Sequence, residues 1–169
     1  AALTFGAELE DGVIPPCDKL FGPGNAYVAE AKKQASALPD GPAVDMPAGP
    51  SELMVIVDRD AAPEIVAADL LSQAEHDADA QVLLVSTSRA TIDYILSEVE
   101  VQVATLPREA IARASLNEAR AILVRDLNAA AEVANLYGPE HLAIQIDDPE
   151  ALVDSIKAAG AVFVGRFAA

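Results

Sequence analysis

At 169 residues, 52% of them hydrophobic, the chain is long enough to enclose one sizeable core and short for two complete ones. Lys and Arg number 11 against 27 Asp and Glu, and the formal net charge of -16 opposes phosphate backbones and anionic lipid, so neither nucleic acid nor a membrane is an expected partner. Aromatics make up only 4%, Cys17 has no second cysteine to pair with, and no apolar run approaches the roughly 18 residues of a spanning helix, which together predict a soluble, cytoplasmic protein. The first residues, Ala1-Ala2-Leu3-Thr4-Phe5, carry neither an initiator Met nor the basic region of a signal peptide, so the chain reads as cut from something longer.

In chain order, Gly22-Pro23-Gly24-Asn25 opens a helix predicted over 25–38, and a Pro- and Gly-rich span from Pro39 to Pro50 follows it. Leu53 to Val57 reads as a strand. Asp60 then caps a helix that runs through Ile65, Val66, Leu70 and Leu71 to about His76, with Pro63 and Glu64 in its first turn. Strands are expected at 81–86, 121–124, 142–146 and 161–164, and helices at 90–104, 108–118, 127–136 and 149–159, the last with Gly160 as C-cap. Short β-branched runs alternating with longer amphipathic stretches are the pattern of βαβ units. The fold class is therefore α/β, a Rossmann-like open and mostly parallel sheet with flanking helices. A seam near Pro47-Ala48-Gly49-Pro50 divides the chain into 1–47, the end of a preceding Rossmann-like domain, and 48–169, a Rossmann-like segment; ligand clefts favour such junctions.

Candidate chemistry gathers around the two histidines, each directly preceded by a glutamate. On the helix from Asp60, the residues Asp69, Gln73 and His76 fall at i, i+4 and i+7, one polar stripe in which Gln73 and His76 can reach one small cation. The same pattern also reads as a solvated helix end, and a catalytic zinc takes three protein ligands where only two are evident here. At Gly138-Pro139-Glu140-His141 the Gly-Pro pair ends a helix and places a carboxylate and an imidazole immediately before a strand. Such a pair suits proton transfer, with His141 accepting a proton near neutral pH and Glu140 orienting a water or tuning its neighbour; a plain connecting turn is the alternative. The free amides after Gly22-Pro23-Gly24 could hold a phosphate or cofactor edge, but the spacing is not that of a dinucleotide fingerprint and also fits a simple turn and cap. Ser51, at the end of a stiff Pro-rich loop, can offer a hydroxyl to a ligand; with no His or Lys near it in sequence it is not read as a nucleophile.

Taken in order, Phe21-Gly22-Pro23-Gly24-Asn25, Asp45-Met46-Pro47-Ala48-Gly49-Pro50-Ser51-Glu52, Asp69-Leu70-Leu71-Ser72-Gln73-Ala74-Glu75-His76 and Tyr137-Gly138-Pro139-Glu140-His141-Leu142 strongly resemble the histidinol dehydrogenase family. The resemblance spans nearly the whole chain. It implies a zinc- and NAD-dependent oxidation of L-histidinol through histidinaldehyde to L-histidine, by a homodimer whose C-terminal segment completes the partner's site. It further implies Gln73 and His76 as zinc and substrate ligands, Ser51 and His141 as substrate contacts, Asn25 as a cofactor contact, His141 as proton acceptor and Glu140 as the group that activates water. The family enzyme is over twice this length, and its other zinc ligands, an Asp and a His, fall beyond Ala169. The fold is therefore expected to be incomplete relative to the full enzyme and the chain inactive alone. Two other functions fit the residues: a related zinc and NAD dehydrogenase acting on another polyol such as a sulfonated diol, and a non-catalytic binding or assembly domain.

Overall fold

The computed structural model describes residues 1–22, 26–45 and 51–168. The chain divides into two compact units, Ala1–Gly49 and Pro50–Ala169.

In the first unit a single turn, α1 (Ala2–Phe5), leads into an antiparallel hairpin of β1 (Ala7–Leu9) and β2 (Gly12–Ile14). A short parallel pair follows, β3 (Lys19–Leu20) and β4 (Ala43–Val44), connected through α2 (Ala26–Ser36). Asp45, just after β4, accepts the Gly22 N–H at 2.8 Å and pairs with Lys32 Nζ at 2.5 Å, so this carboxylate ties both ends of the pair to the helix between them. The Lys32 bond and then the Gly22 amide hold its carboxyl below the usual range.

The second unit is built on five parallel strands: β5 (Glu52–Val57), β6 (Gln81–Ser86), β7 (Arg120–Leu123), β8 (His141–Gln145) and β9 (Ala161–Val164), in the spatial order β7-β6-β5-β8-β9. The central strand carries Leu53, Met54, Val55, Ile56 and Val57 at 5% exposure or less, because both its faces are covered. Leu53, Val55 and Val57 pack on one side with α3 (Pro63–Ala74), α4 (Arg89–Val103) and α5 (Glu109–Glu118). Met54 and Ile56 pack on the other with α6 (Leu127–Tyr137) and α7 (Glu150–Val153). Strand order 3-2-1-4-5 with helices on both faces is the doubly wound Rossmann arrangement, and its order reverses between β5 and β8. No helix among the described residues is long and apolar enough to cross a membrane.

Most boundaries shift by one or two residues from the sequence reading, α3 ending at Ala74 rather than about His76, and three differences have a visible cause. Asp60 does not cap α3: its N–H is held by Asp58 Oδ1 at 2.9 Å, and Ala62 is the N-cap, with Pro63 at the first helical position, where no N–H is needed. The helix expected over 149–159 stops at Val153. Asn135 Oδ1 accepts the N–H groups of Lys157 at 2.6 Å and Ala158 at 3.2 Å, while its Nδ2 donates to Ser155 O at 2.9 Å, so α6 captures the backbone groups a longer helix would use. Gly160 is accordingly no helix cap. Finally, β8 begins at His141 rather than Leu142, since His141 is in register with Leu53 of β5 and Ala161 of β9.

Candidate active site

In a doubly wound sheet a helix leaves the carboxyl end of one strand and returns antiparallel to the start of the next. The last turn of α3 therefore lies at the amino edge of the sheet, where β5 and β8 begin. Side chains of β8 alternate, so His141, Ala143 and Gln145 share a face, and the membership of Ala143 in the core beneath α3 identifies it as the α3 face. The same alternation from Leu53 sets Ser51 on that side of the amino edge.

The stripe predicted on α3 is oriented by one bond: Gln145 Nε2 donates to Asp69 Oδ2. From Asp69 to Ala74, the end of α3, is about 7 Å along the helix axis, and from Gln145 back to His141 about 13 Å along a strand, so α3 runs from Gln145 toward the start of β8 and His76 follows in the turn after the helix. Gln73 and His76 therefore lie toward the same edge of the sheet as His141 and Ser51. Gln73 is half-buried and His76 exposed. Arg108 Nη2 donates to His76 O at 3.0 Å, which holds the backbone just after α3.

The first residue of β5 holds the base pair. Glu52 N–H donates to Glu140 Oε2 at 3.2 Å, and Glu52 O lies 3.2 Å from His141 Nδ1. A carbonyl can only accept, so Nδ1 carries the imidazole proton and Nε2 presents its lone pair. Glu140 Oε2 is 3.8 Å from the same Nδ1, beyond hydrogen-bond reach but close enough for its charge to favour a proton on that nitrogen. The His141 and Glu140 side chains are 35% and 46% exposed, so both can meet a ligand or water. Phe163 of β9 flanks the imidazole with ring centroids 5.9 Å apart and planes tilted by 33°, limiting its swing on that side.

Two glycines shape the loop that delivers this pair. Gly138 ends α6 in the left-handed conformation, φ 66° and ψ 56°, with its N–H on Ala134 O at 2.8 Å. Gly160 passes so close to the loop that a Cβ there would lie 2.6 Å from Glu140 O. Gly160 N–H donates to Pro139 O at 2.9 Å and Ala161 N–H to Glu140 O at 2.8 Å, pinning the peptide between Glu140 and His141.

Sequence spacing alone missed Glu52, Gln81 and Tyr137. Tyr137 Oη donates to Gln81 Oε1 at 2.8 Å, and burial, then the nearby Glu52 carboxylate, pushes its phenol up. Gln81 N–H in turn donates to Ser51 O at 3.1 Å. The signal available was position: each is the polar residue at the first or last place of an element ending at the same sheet edge. At the opposite, carboxyl edge, where such sheets commonly bind ligands, Asp58 occupies the crevice at the order reversal, accepting the N–H groups of Asp60 at 2.9 Å and Asp147 at 2.8 Å.

The described residues offer a metal two donors, Gln73 and His76, one short of the usual three for catalytic zinc, and among them no group of three His, Cys, Asp or Glu could hold an ion. The pair fits part of a zinc donor set and does not complete one. Asn25, the expected cofactor contact, lies outside the described residues.

The second unit is thus a doubly wound α/β fold whose amino edge presents an imidazole and a carboxylate suited to proton transfer. The histidinol dehydrogenase family profile matches residues 1–169. Histidinol dehydrogenases of Escherichia coli K12 and Yersinia pestis are 52% and 51% identical over 165 residues, 98% of this chain and 37% and 36% of theirs. The crystal structure of histidinol dehydrogenase from Elizabethkingia anophelis superposes with a TM-score of 0.87 at 48% identity, covering 92% of this chain and 35% of that one. The chain belongs to the histidinol dehydrogenase family. It spans a little over a third of the length of these relatives.

Proposed function

We propose that this chain supplies the proton-transfer centre and part of the zinc site of an L-histidinol dehydrogenase, which oxidises L-histidinol through histidinaldehyde to L-histidine. The observation that carries the proposal is the double clamp of Glu52 on Glu140 and His141, at the sheet edge to which Gln73 and His76 return. Identity of 52% to a histidinol dehydrogenase over nearly the whole chain favours histidinol over a sulfonated diol or a non-catalytic role.

In the first step His141 Nε2 takes the hydroxyl proton as the carbinol C–H leaves as hydride, giving the aldehyde. In the second, Glu140 takes a proton from a water that adds to the aldehyde carbon while His141 returns its proton to the aldehyde oxygen, and the hydrate then gives a hydroxyl proton back to His141 Nε2 as its C–H leaves as the second hydride, yielding the acid. When bound, zinc polarises the substrate oxygen and NAD receives each hydride, two per histidinol. Gln73 and His76 hold the substrate end of the site, Ser51 and His141 orient the amino alcohol, and Asn25 meets the cofactor. The remaining zinc ligands come from outside these 169 residues, within a cytoplasmic homodimer. Residues 1–47 close a preceding Rossmann-like domain, for which the β3-α2-β4 parallel unit is the support.

The test is turnover by a full-length histidinol dehydrogenase in which this chain forms the corresponding segment. Two NADH per histidinol, and loss of turnover in His141→Asn, are expected. Oxidation of a sulfonated diol but not histidinol, or full activity in His141→Asn, would overturn the assignment. The isolated chain is expected to show no turnover, and measurable NADH formation by it would refute the part-site reading.

A further inference from the structure

The Asp69–Gln145 pair, a part-buried polar contact of the second unit, lies outside the reaction just described. Gln145 is 2% exposed, and its Oε1 has no hydrogen-bond partner among the described residues. Burying an amide with one unsatisfied oxygen opposes stability, so packing alone does not account for glutamine at this position. Its recorded partner is Asp69, whose carboxyl burial pushes up, against the lowering effect of the Gln145 bond. The apolar side chains of α3, Val66, Ala67, Leu70, Leu71 and Ala74, belong to the shared core of this face, and non-directional contacts of that kind do not by themselves relate α3 to β8. Among the described residues the Asp69–Gln145 bond is the hydrogen bond that joins these two elements, and a directional polar bond specifies a register.

Each partner sits four residues from the chemistry, on the matching face. Asp69 precedes Gln73 by one helical turn, and Gln145 follows His141 by two strand alternations. One bond therefore relates the helix that bears Gln73 and leads into His76 to the strand bearing His141. We infer that Asp69 and Gln145 are positioning residues, whose hydrogen bond sets the axial register of α3 on β8 and thereby the separation between the Gln73–His76 end and the His141 base. This inference rests on the function proposed above.

The chemistry of the two side chains supplies a sharp test in the same full-length enzyme. Asp69→Asn retains an oxygen to accept from Gln145 Nε2 and should keep kcat within about twofold. Gln145→Glu sets two carboxylates against each other and should lower kcat by at least about tenfold, since misplacement on the 1 Å scale costs up to about a hundredfold. Zinc affinity, measured by competition with a chelator, should change less, because Gln73 and His76 stay together at one helix end. Combining Asp69→Asn with Gln145→Glu restores a donor and an acceptor and should recover most of kcat. A thermal melt of each variant separates register from folding: loss of kcat in protein that remains folded at the assay temperature supports the inference. If folded Gln145→Glu keeps wild-type kcat, or the combined variant fails to recover it, the inference is overturned. Absence of histidinol turnover in the unsubstituted enzyme would instead overturn the proposed function.

Discussion

Gly160→Ala is the substitution for which the structure supplies the most direct magnitude. A Cβ at Gly160 would sit 2.6 Å from Glu140 O and 3.4 Å from both Glu140 C and Cα. Retreat to 3.0 Å requires a shift of about 0.4 Å and to ordinary contact at 3.4 Å about 0.8 Å, and the obstructing atom is backbone, which cannot rotate away. Two hydrogen bonds resist the movement, Gly160 N–H to Pro139 O and Ala161 N–H to Glu140 O, so strain falls on the peptide joining the two candidate base residues. Overpacking of this kind costs about 1–3 kcal/mol of stability. A displacement of this size at a catalytic group lowers kcat on the order of tenfold to a hundredfold. Urea denaturation measures the first quantity, and steady-state oxidation of histidinol and of histidinaldehyde by the full-length enzyme measures the second. Wild-type stability together with wild-type kcat in both steps would refute the argument that this glycine is required by close approach to Glu140.

Gly138→Val forces a β-branched residue into the left-handed region at the end of α6 and should destabilise by about 1–3 kcal/mol, read as a lower urea midpoint. Leu142→Ala opens a cavity at a fully buried position of β8 and should cost about 2–5 kcal/mol while leaving the zinc affinity of folded protein unchanged. For pH, the folded carboxyl of Asp69 lies above its usual value of 3.8, so its contribution to stability is present below that value and is lost as pH rises through the folded pKa. The wild-type minus Asp69→Asn difference in urea midpoint should therefore fall with rising pH above about 4, and a flat difference would contradict it. Asp126 behaves oppositely: the Ala129 N–H it caps holds its carboxyl low, so its contribution is present above 3.8 and fades as pH falls through the lower folded value, which Asp126→Ala should abolish.

Elements whose signal lies in local pattern were legible from the sequence. Gln81–Ser86 and Ala161–Val164 are the strands expected, because a β-branched run flanked by polar turns leaves the backbone little else to do. The helix expected after Pro149 forms but stops at Val153 for a non-local reason, capture of the following backbone by Asn135, which lies about twenty residues earlier on α6. The site divides the same way. Glu140 and His141 were visible as a pair because a Gly-Pro turn presents them, and Gln73 with His76 because helical spacing joins them. What joins the two pairs was not visible, since it depends on strand register: Leu53 opposite His141 brings Glu52 to both base residues. Nor could spacing tell that Asp69, on the same stripe as Gln73 and His76, turns into the sheet to meet Gln145.

The most direct test of the central claim separates the two oxidation steps. In the full-length enzyme, His141→Asn and Glu140→Gln are each supplied with histidinol and, separately, with histidinaldehyde, and NADH formation is followed in single turnovers. The account predicts that His141→Asn loses both steps, whereas Glu140→Gln still forms the aldehyde and loses its further oxidation. Equal impairment of both steps in both variants would contradict the division of labour between imidazole and carboxylate.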